Sequence, residues 1–133
     1  EQNITYKCCS NFLIHLYPSI INVSSLYAQF GSALAPAYSC SKGAIDQLTF
    51  SHALSMSAAN IRVNAVAPGW IDTPLIQPLK DMPEVFGGIM ARSPMQRLGK
   101  PEEIANVVLF LASDAASFVN GAIIKVDGAY SIF

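Results

Sequence analysis

The stretch IRVNAVAPGWIDT at residues 61–73 contains the clearest strand signal in the chain. Residues 61–67 are mostly apolar and include Ile61, Val63 and Val66, which predicts a buried strand. Pro68 ends that strand because proline cannot donate a backbone hydrogen bond to a neighbouring strand, and Gly69 follows as a turn former. A buried strand requires strands beside it and helices that cover it, so further strands and helices are expected on both sides of this segment.

Strands and helices alternate on both sides of this segment. Further strands are predicted at residues 19–25 (SIINVSS) and 122–126, the latter followed by an Asp127-Gly128 turn. Helices are predicted at residues 4–16, 38–58 and 100–112. Residues 70–97 contain four prolines and are predicted to be irregular, with short helices over a cleft. This alternation indicates an α/β fold built on a parallel sheet.

The predicted helix 38–58 is apolar over more of its surface than one sheet contact needs. One face is predicted to contain Ile45, Leu48, Thr49, His52 and Met56, while Phe50, Ala53 and Leu54 point elsewhere. This width predicts a second partner for the helix, such as the same helix of another copy of the chain.

Composition excludes several classes of function. The 133 residues are 52% hydrophobic and only 13% charged, which excludes intrinsic disorder. The net charge of −1 gives no electrostatic basis for binding nucleic acid or an anionic membrane. No Lys, Arg, Asp or Glu occurs between Cys8 and Ser41, but Pro18 and Pro36 interrupt that stretch, so a buried soluble core is favoured over a membrane span.

Three cysteines, Cys8, Cys9 and Cys40, have no metal-ligand spacing, so no metal site is expected. Their odd number favours a reduced, cytoplasmic setting. Cys40 is predicted to be a small packing residue, and Asp46 a solvated charge or ion-pair partner. His15 and His52 have no partners at ligand spacing and are predicted to be core or interface residues.

Tyr38 and Lys42 lie four residues apart near the start of the long helix and therefore share a face. An ammonium near a phenol favours the phenolate, so such a tyrosine can exchange a proton with an alcohol or carbonyl oxygen. Ser25 ends the first strand, where open α/β sheets place their ligands, and its hydroxyl could donate to the same oxygen. Ser24 competes for that role, and either serine could simply form a turn.

The second strand ends at Pro68, so the residues after it emerge at the same edge of the sheet. Gly69 permits close approach of a ligand to the backbone, and Thr73 supplies a hydroxyl. A turn that merely ends the strand remains an equal alternative.

Five segments, in this order and spacing, resemble the short-chain dehydrogenase/reductase family in its compact single-domain branch. They are INVSS (21–25), YSCSK (38–42), RVNAVAPGWIDT (62–73), RLGKPEEIANVVLFLASD (97–114) and FVNGAIIKVDG (118–128). The resemblance implies a partial Rossmann-like fold and an oxidoreductase that interconverts an alcohol and a carbonyl with NAD or NADP.

By this resemblance Tyr38 is the general acid and base, and Ser25 orients the reacting oxygen. Lys42 favours the phenolate form of Tyr38 and hydrogen-bonds the nicotinamide ribose. Residues 68–73, with Pro68 and Gly69 at their start, would hold the nicotinamide amide through the backbone of Ile71 and the hydroxyl of Thr73.

The resemblance and the apolar residues near the site also imply a substrate pocket and an assembly. Leu26, Phe30 and Trp70 are expected to shape an apolar substrate pocket with residues 75–90. The substrate is a small alcohol or carbonyl compound that the sequence does not specify. A homodimer or homotetramer is expected through helix 38–58.

The family's N-terminal features have no match in this chain. None of the eight glycines forms the GxGxxG turn that holds a dinucleotide pyrophosphate, and the residue that selects NAD or NADP is not found either. The chain therefore resembles the C-terminal catalytic half of a dehydrogenase, inactive on its own. Asn3 is the only candidate for the family's helix asparagine, with a poor fit.

Three other functions share some of these sequence features. A non-enzymatic association module would keep only the dimerising helices. Nucleotide-sugar epimerases share the Tyr-x3-Lys spacing but usually carry a longer C-terminal domain. Divergent enoyl reductases space their tyrosine and lysine more widely than Tyr38 and Lys42.

Overall fold

The computed structural model describes residues 18–33 and 35–133 and contains a three-stranded parallel sheet with the order β1-β2-β3. The strands are β1 (Ser19–Val23), β2 (Arg62–Pro68) and β3 (Ile123–Val126). Ser19 lies opposite Arg62 in the first pair, and Ala65 lies opposite Ile123 in the second. The predicted parallel α/β fold is confirmed, and each strand lies within two residues of its predicted bounds.

The central strand β2 is buried along almost its whole length. Val66 packs with Leu111 and Ala116 in a fully buried cluster on one face of the sheet. Arg62 is also buried, and its guanidinium donates to the carbonyl oxygens of Leu111 (2.7 Å) and Ser113 (3.2 Å). A buried charge needs such partners, so this arginine fastens the end of a helix to the start of β2.

Among the described residues, four α-helices connect or cover the strands. They are α1 (Pro36–Met56), α2 (Gln77–Lys80), α3 (Pro83–Ala91) and α4 (Pro101–Ala112). Each has proline in its first turn, where the missing N–H costs nothing. In α4 the Glu103 carboxylate accepts the backbone N–H of Lys100 at 2.7 Å, a capping-box contact. The prediction of short helices within residues 70–97 is confirmed.

The faces predicted for α1 are only partly those of the structure. Thr49, on the predicted face, is fully buried, but Leu48 of the same face is 42% exposed, and Ala53, predicted to point elsewhere, is only 5% exposed. Thr49 and Ala53 form the buried stripe, one turn apart, and the Thr49 hydroxyl accepts a hydrogen bond from the amide of Asn22 on β1 at 2.9 Å. Residue size explains the correction, because small side chains let the helix approach the sheet closely.

Two asparagines hold the loop before β3 against β2. Asn64 donates to the carbonyl of Val119 and accepts from the N–H of Ala122. Asn120 accepts from the N–H of Val63 and donates to the carbonyl of Ala53 at the end of α1. The asparagines of the RVNAVAPG and FVNG segments therefore join β2, β3 and α1.

Some predictions fall on residues 1–17, which lie outside the described ranges. They are the helix 4–16, Asn3 as a helix asparagine, and the roles of His15, Cys8 and Cys9. Within the described ranges, no helix has the length and hydropathy that a membrane span requires, and no three potential metal-ligating side chains cluster. Cys40, predicted to pack inside, is an exposed free thiol because it lies on the outer side of α1.

Candidate active site

A cleft of about 420 Å³ opens at the carboxyl-terminal edge of the sheet, between the ends of β1 and β2 and the start of α1. Seven of the residues singled out in the sequence line it together: Ser25, Tyr38, Lys42, Pro68, Gly69, Ile71 and Thr73. Its remaining wall is largely apolar and is formed by Val23, Leu75, Ile76, Pro101 and Ile104, with Ser24 beside Ser25. Strand ends of parallel sheets are the usual position of ligands in α/β folds.

The two serines after β1 have different hydrogen-bond partners. The hydroxyl of Ser24 is buried and donates to the carboxylate of Asp46 on α1. The hydroxyl of Ser25 accepts the backbone N–H of Tyr27 at 3.2 Å, which caps a short 3-10 turn and leaves its proton free to donate. Ser25 is therefore the serine whose hydroxyl is available to a ligand in the cleft. Asp46, predicted to be solvated or ion-paired, instead holds Ser24 in place.

Tyr38 and Lys42 share one face of the first turns of α1, as the spacing predicts. The ammonium of Lys42 lies 5.6 Å from the centre of the Tyr38 ring and donates to the carbonyl oxygen of Val23 at 2.8 Å. An ammonium has three donors, so two remain for other acceptors. Tyr38 is 44% exposed, which leaves its ring accessible to a ligand.

The Tyr27 ring packs against the Tyr38 ring, a contact that the sequence did not indicate. The two rings meet edge to face with centroids 6.3 Å apart, and Tyr27 makes a similar contact with Trp70 at 6.1 Å. Burial raises the pKa of the Tyr27 phenol, with a smaller contribution from Tyr130. Tyr27 therefore acts as a neutral packing residue that fixes the position of the Tyr38 ring.

The backbone of Ile71 is held by Gly99 in an isolated parallel bridge. The bridge uses the N–H of Asp72 and the carbonyl of Trp70, both bonded to Gly99 at 2.8 and 2.9 Å. Such a bridge leaves the N–H and carbonyl of Ile71 itself on the opposite side. Within the described ranges the Ile71 N–H has no partner, and its carbonyl accepts only the Thr73 hydroxyl, at 3.5 Å.

Gly99 was missed by the sequence analysis although it belongs to the RLGK segment. A Cβ at this position would lie 2.6 Å from the Cδ1 atom of Ile71, so any other residue here would require the Ile71 side chain to move. A glycine within a charged loop gives no signal of a partner almost thirty residues earlier in the chain.

Gly69 also has a packing reason to be glycine. A Cβ there would lie 2.8 Å from both Cα and Cβ of Asp127, so the end of β2 passes directly against the turn after β3. The Asp127 carboxylate accepts the backbone N–H groups of Ala129 and Ser131, each at 3.0 Å, and so orders that turn. Gly69 lines the cleft as predicted, and close packing against Asp127 accounts for the absence of a side chain.

The three residues expected to contact substrate lie beside the cleft. Leu26 is buried with Ile89 and Tyr130, and Phe30 and Trp70 pack around them. None of the three is among the residues that line the cleft. Their contact with a substrate stays a prediction, and two of them, Phe30 and Trp70, pack edge to face against Tyr27.

The chain is similar to known proteins over most of its length. A family model described as enoyl-(acyl carrier protein) reductase matches residues 5–131. Cis-4-hydroxycyclohexanecarboxylate dehydrogenase of Sinomonas cyclohexanicum is 50% identical over 113 residues, covering 85% of this chain and 45% of that protein. The 3-oxoacyl-acyl-carrier-protein reductase of Thermotoga maritima is 43% identical over 130 residues, covering 98% of this chain and 52% of that protein. The chain spans about half the length of these curated relatives.

Solved structures give the same result. An Agrobacterium tumefaciens protein provisionally assigned as a 2-deoxy-D-gluconate 3-dehydrogenase, with bound NADP, superposes with a TM-score of 0.85 at 36% identity. The match covers 86% of this chain and 47% of that protein. The strand order, the cleft residues and these matches agree, and the chain belongs to the short-chain dehydrogenase/reductase family.

Proposed function

We propose that this chain provides the catalytic half of an NAD(P)-dependent oxidoreductase that interconverts an alcohol and a carbonyl compound. The observation that carries the proposal is the single cleft that gathers Ser25, Tyr38 and Lys42 with the free backbone groups of Ile71. Residues from three separate sequence segments meet there, at the edge of the sheet where α/β proteins bind ligands.

Each catalytic side chain has a role that its contacts support. The exposed phenol of Tyr38 exchanges the proton with the substrate oxygen, because it is the accessible acid at the mouth of the cleft. Ser25 donates its free hydroxyl hydrogen to the same oxygen and orients it. Lys42, fixed to Val23, keeps a positive charge beside Tyr38 and so favours the phenolate when the proton leaves.

The cofactor proposed is NAD or NADP, which supplies the hydride acceptor or donor when bound. The described residues fit its nicotinamide end: the N–H and carbonyl of Ile71 match a carboxamide, and Lys42 has two donors for ribose hydroxyls. Thr73 adds a hydroxyl. The sequence has no GxGxxG turn, so the proposal covers the nicotinamide end of the cofactor and not its pyrophosphate.

Substrates named for the relatives define the class to be tested. They include a cyclic hydroxy acid for the Sinomonas protein and an acyl thioester for the Thermotoga protein, and others are named for galactitol and for a steroid. We infer a small-molecule alcohol or carbonyl substrate for this chain.

A homodimer or homotetramer through α1, in a reducing cytoplasmic setting, belongs to the same proposal. Leu48, Phe50 and Leu54 are apolar and exposed on α1, which supports association with a second copy. The free thiol of Cys40 is compatible with a reducing compartment.

The proposal is tested by restoring a nucleotide-binding half. The N-terminal half of the Thermotoga relative is joined in frame before this chain, and the fusion is assayed for NAD(P)H-dependent turnover of small ketones. We expect turnover by the fusion and none by the 133-residue chain alone. Tyr38→Phe is expected to lower turnover by at least about 100-fold while nucleotide binding is retained.

Tyr130→Phe is the matched control, because it removes a phenolic hydroxyl outside the cleft and keeps the ring. Full turnover by the Tyr38→Phe fusion would remove Tyr38 from the mechanism. A fusion that binds nucleotide without turnover, together with self-association of the chain through α1, would favour the association module instead.

A further inference from the structure

Arg92 has an arrangement that the proposed mechanism does not explain. It follows α3 directly, and its guanidinium carbon lies 5.1 Å from the centre of the Phe30 ring and 4.9 Å from that of Tyr130. Contact with the faces of two aromatic rings restricts the plane of the guanidinium while leaving the N–H groups at its edge available.

The positive charge of Arg92 is not neutralised by a neighbouring carboxylate. The two ion pairs within the described ranges join Lys80 to Asp72 and Arg97 to Glu103. The side chain of Arg92 also makes no hydrogen bond to any described residue, although Arg62 and Arg97 both do. An oriented guanidinium with free donors is suited to binding a planar oxyanion through two parallel hydrogen bonds.

The backbone that carries Arg92 is firmly held. Ser93 donates its hydroxyl to the carbonyl of Ile89 at 2.8 Å, and the amide of Gln96 donates to the carbonyls of Met90 and Ser93. Ile89 is buried against Leu26 and Tyr130. The backbone that carries Arg92 is therefore ordered before an anion binds, which lowers the entropy lost on binding.

A continuous row of aromatic rings connects Arg92 with the cleft. Phe30, which lies under the guanidinium, contacts Tyr27 with ring centroids 6.2 Å apart, and Tyr27 contacts Tyr38 at 6.3 Å. The guanidinium and the Tyr38 phenol therefore stand at the two ends of a three-ring apolar wall. A ligand lying along this wall would have its polar groups at its ends and its hydrocarbon part in the middle.

We propose that Arg92 binds a carboxylate of the substrate, so that the enzyme acts on hydroxy or oxo acids whose reacting oxygen reaches Tyr38. This proposal rests on the proposed function, because it assigns the remote end of the same substrate. A carboxylate and a phosphate present the same oxyanion to arginine, and the carboxylate is favoured because Arg92, with one positive charge, is the cation that the described contacts place over the Phe30 and Tyr130 rings.

Binding is measured first, independently of turnover. Trp70 is the chain's single tryptophan and touches Tyr130, so its fluorescence reports on ligands at this wall. Cyclohexanecarboxylate and the neutral cyclohexanecarboxamide are titrated into the full chain. We expect the carboxylate to bind on the order of tenfold more tightly. Arg92→Gln should abolish that preference, and Arg92→Lys should keep part of it because the charge remains without the planar fork.

Lys125→Gln is the matched control, since it removes one exposed positive charge on β3 and should leave the preference unchanged. Equal affinity for the two probes, or an unchanged preference in Arg92→Gln, overturns the proposal. Inorganic phosphate is then added in competition with cyclohexanecarboxylate. If phosphate displaces the probe at a concentration below that of the probe, Arg92 binds a phosphoryl group and the proposed carboxylate contact is wrong.

Kinetics of the fusion provide a second measurement that does not depend on the chain folding alone. Arg92→Gln should raise KM about tenfold or more for 4-oxocyclohexanecarboxylate and leave KM for cyclohexanone unchanged. Equal changes for both ketones would overturn a carboxylate contact. Absence of all turnover would contradict the proposed function, whereas the fluorescence titration would still decide the role of Arg92.

Discussion

The ammonium of Lys42 donates to the carbonyl oxygen of Val23, with Nζ and O 2.8 Å apart, so the start of α1 is fixed to the last residue of β1. The same side chain lies beside the Tyr38 ring. One lysine therefore sets the distance between the strand end that carries Ser25 and the helix that carries Tyr38. Lys42 therefore fastens α1 to β1 and also places a positive charge beside Tyr38. Turnover reports on the charge, and thermal stability reports on the fastening.

Lys42→Met should lower turnover of the fusion by about 100-fold or more, because it removes both the charge beside Tyr38 and the donor that holds Val23. The thermal midpoint should change little, since Val23 is exposed and water can hydrate its carbonyl. Initial rates and thermal melts check this, with Lys125→Met as the control. Turnover close to that of the unmodified fusion would mean that Lys42 serves only to fasten α1.

Ser25 and Ser24 should respond differently to replacement by alanine. Ser25→Ala removes the hydroxyl that is free to donate into the cleft, so turnover should fall by at least about tenfold with stability lowered only slightly. Ser24→Ala leaves the Asp46 carboxylate without its hydroxyl partner, so stability should fall by about 1–3 kcal/mol.

Parallel rate assays and urea titrations of the two variants separate these effects. If Ser24→Ala lost turnover and Ser25→Ala did not, the assignment of the two serines would have to be exchanged.

The sheet and the central site residues could be predicted because their signals are local. Residues 61–68 combine a buried strand with a proline that ends it, and Tyr38 and Lys42 are one helical turn apart. On α1, Thr49 of the predicted face is buried, but so is Ala53, which was predicted to point elsewhere. Small side chains lie between the helix and the strands β1 and β2, and the sequence alone does not give the distance between these elements.

Contacts between distant segments could not be predicted. Tyr27 and Gly99 each position a site residue, Tyr38 and Ile71, through packing that depends on the whole fold. Arg92 gave no signal for the same reason, because its significance comes from two rings that lie far apart in the sequence.

Gly69→Ala should destabilise the protein by about 1–3 kcal/mol, because the new Cβ would meet backbone and side-chain carbon of Asp127 at 2.8 Å. Relief of that contact would displace either the end of β2 or the turn that Asp127 orders. Gly87→Ala is the matched control: no atom lies within 4 Å of its ideal Cβ, and alanine in the interior of α3 should stabilise by about 0.5–1 kcal/mol. Urea midpoints of the two variants should therefore move in opposite directions, and equal shifts would contradict the packing argument.

The ion pair between Glu103 and Arg97 should make the stability of the folded protein depend on pH in acid. The Arg97 guanidinium donates to both carboxylate oxygens, at 2.7 and 2.8 Å, and with the Lys100 N–H it lowers the pKa of Glu103 from 4.5 to about 2. Because the folded pKa lies below the unfolded value, this stability is complete above pH 4.5 and is lost as the pH falls towards about 2.

Glu103→Gln should lower the thermal midpoint near neutral pH. As the pH falls from 4.5 to about 2, the midpoint of this variant should decrease less than that of the unmodified protein. Glu102→Gln is the control, since Glu102 is in the same helical turn and forms no ion pair with a described residue. Identical acid profiles for Glu103→Gln and the unmodified protein would show that the pair does not stabilise the fold.

Tyr27 should limit stability in alkali. Burial raises its pKa above the ordinary 10.0, so the folded protein retains the phenolic proton more strongly than the unfolded chain does. Stability is therefore complete below about pH 10 and falls as the pH rises through the folded pKa. Tyr27→Phe cannot ionise, so its urea midpoint should decline less steeply above about pH 10. In a titration that follows tyrosinate absorbance, Tyr27→Phe should lack the part of the absorbance rise that occurs at the highest pH before the protein unfolds. A variant with an unchanged alkaline decline would show that Tyr27 ionises as readily in the folded protein as in water, and its packing against Tyr38 would then need a different explanation.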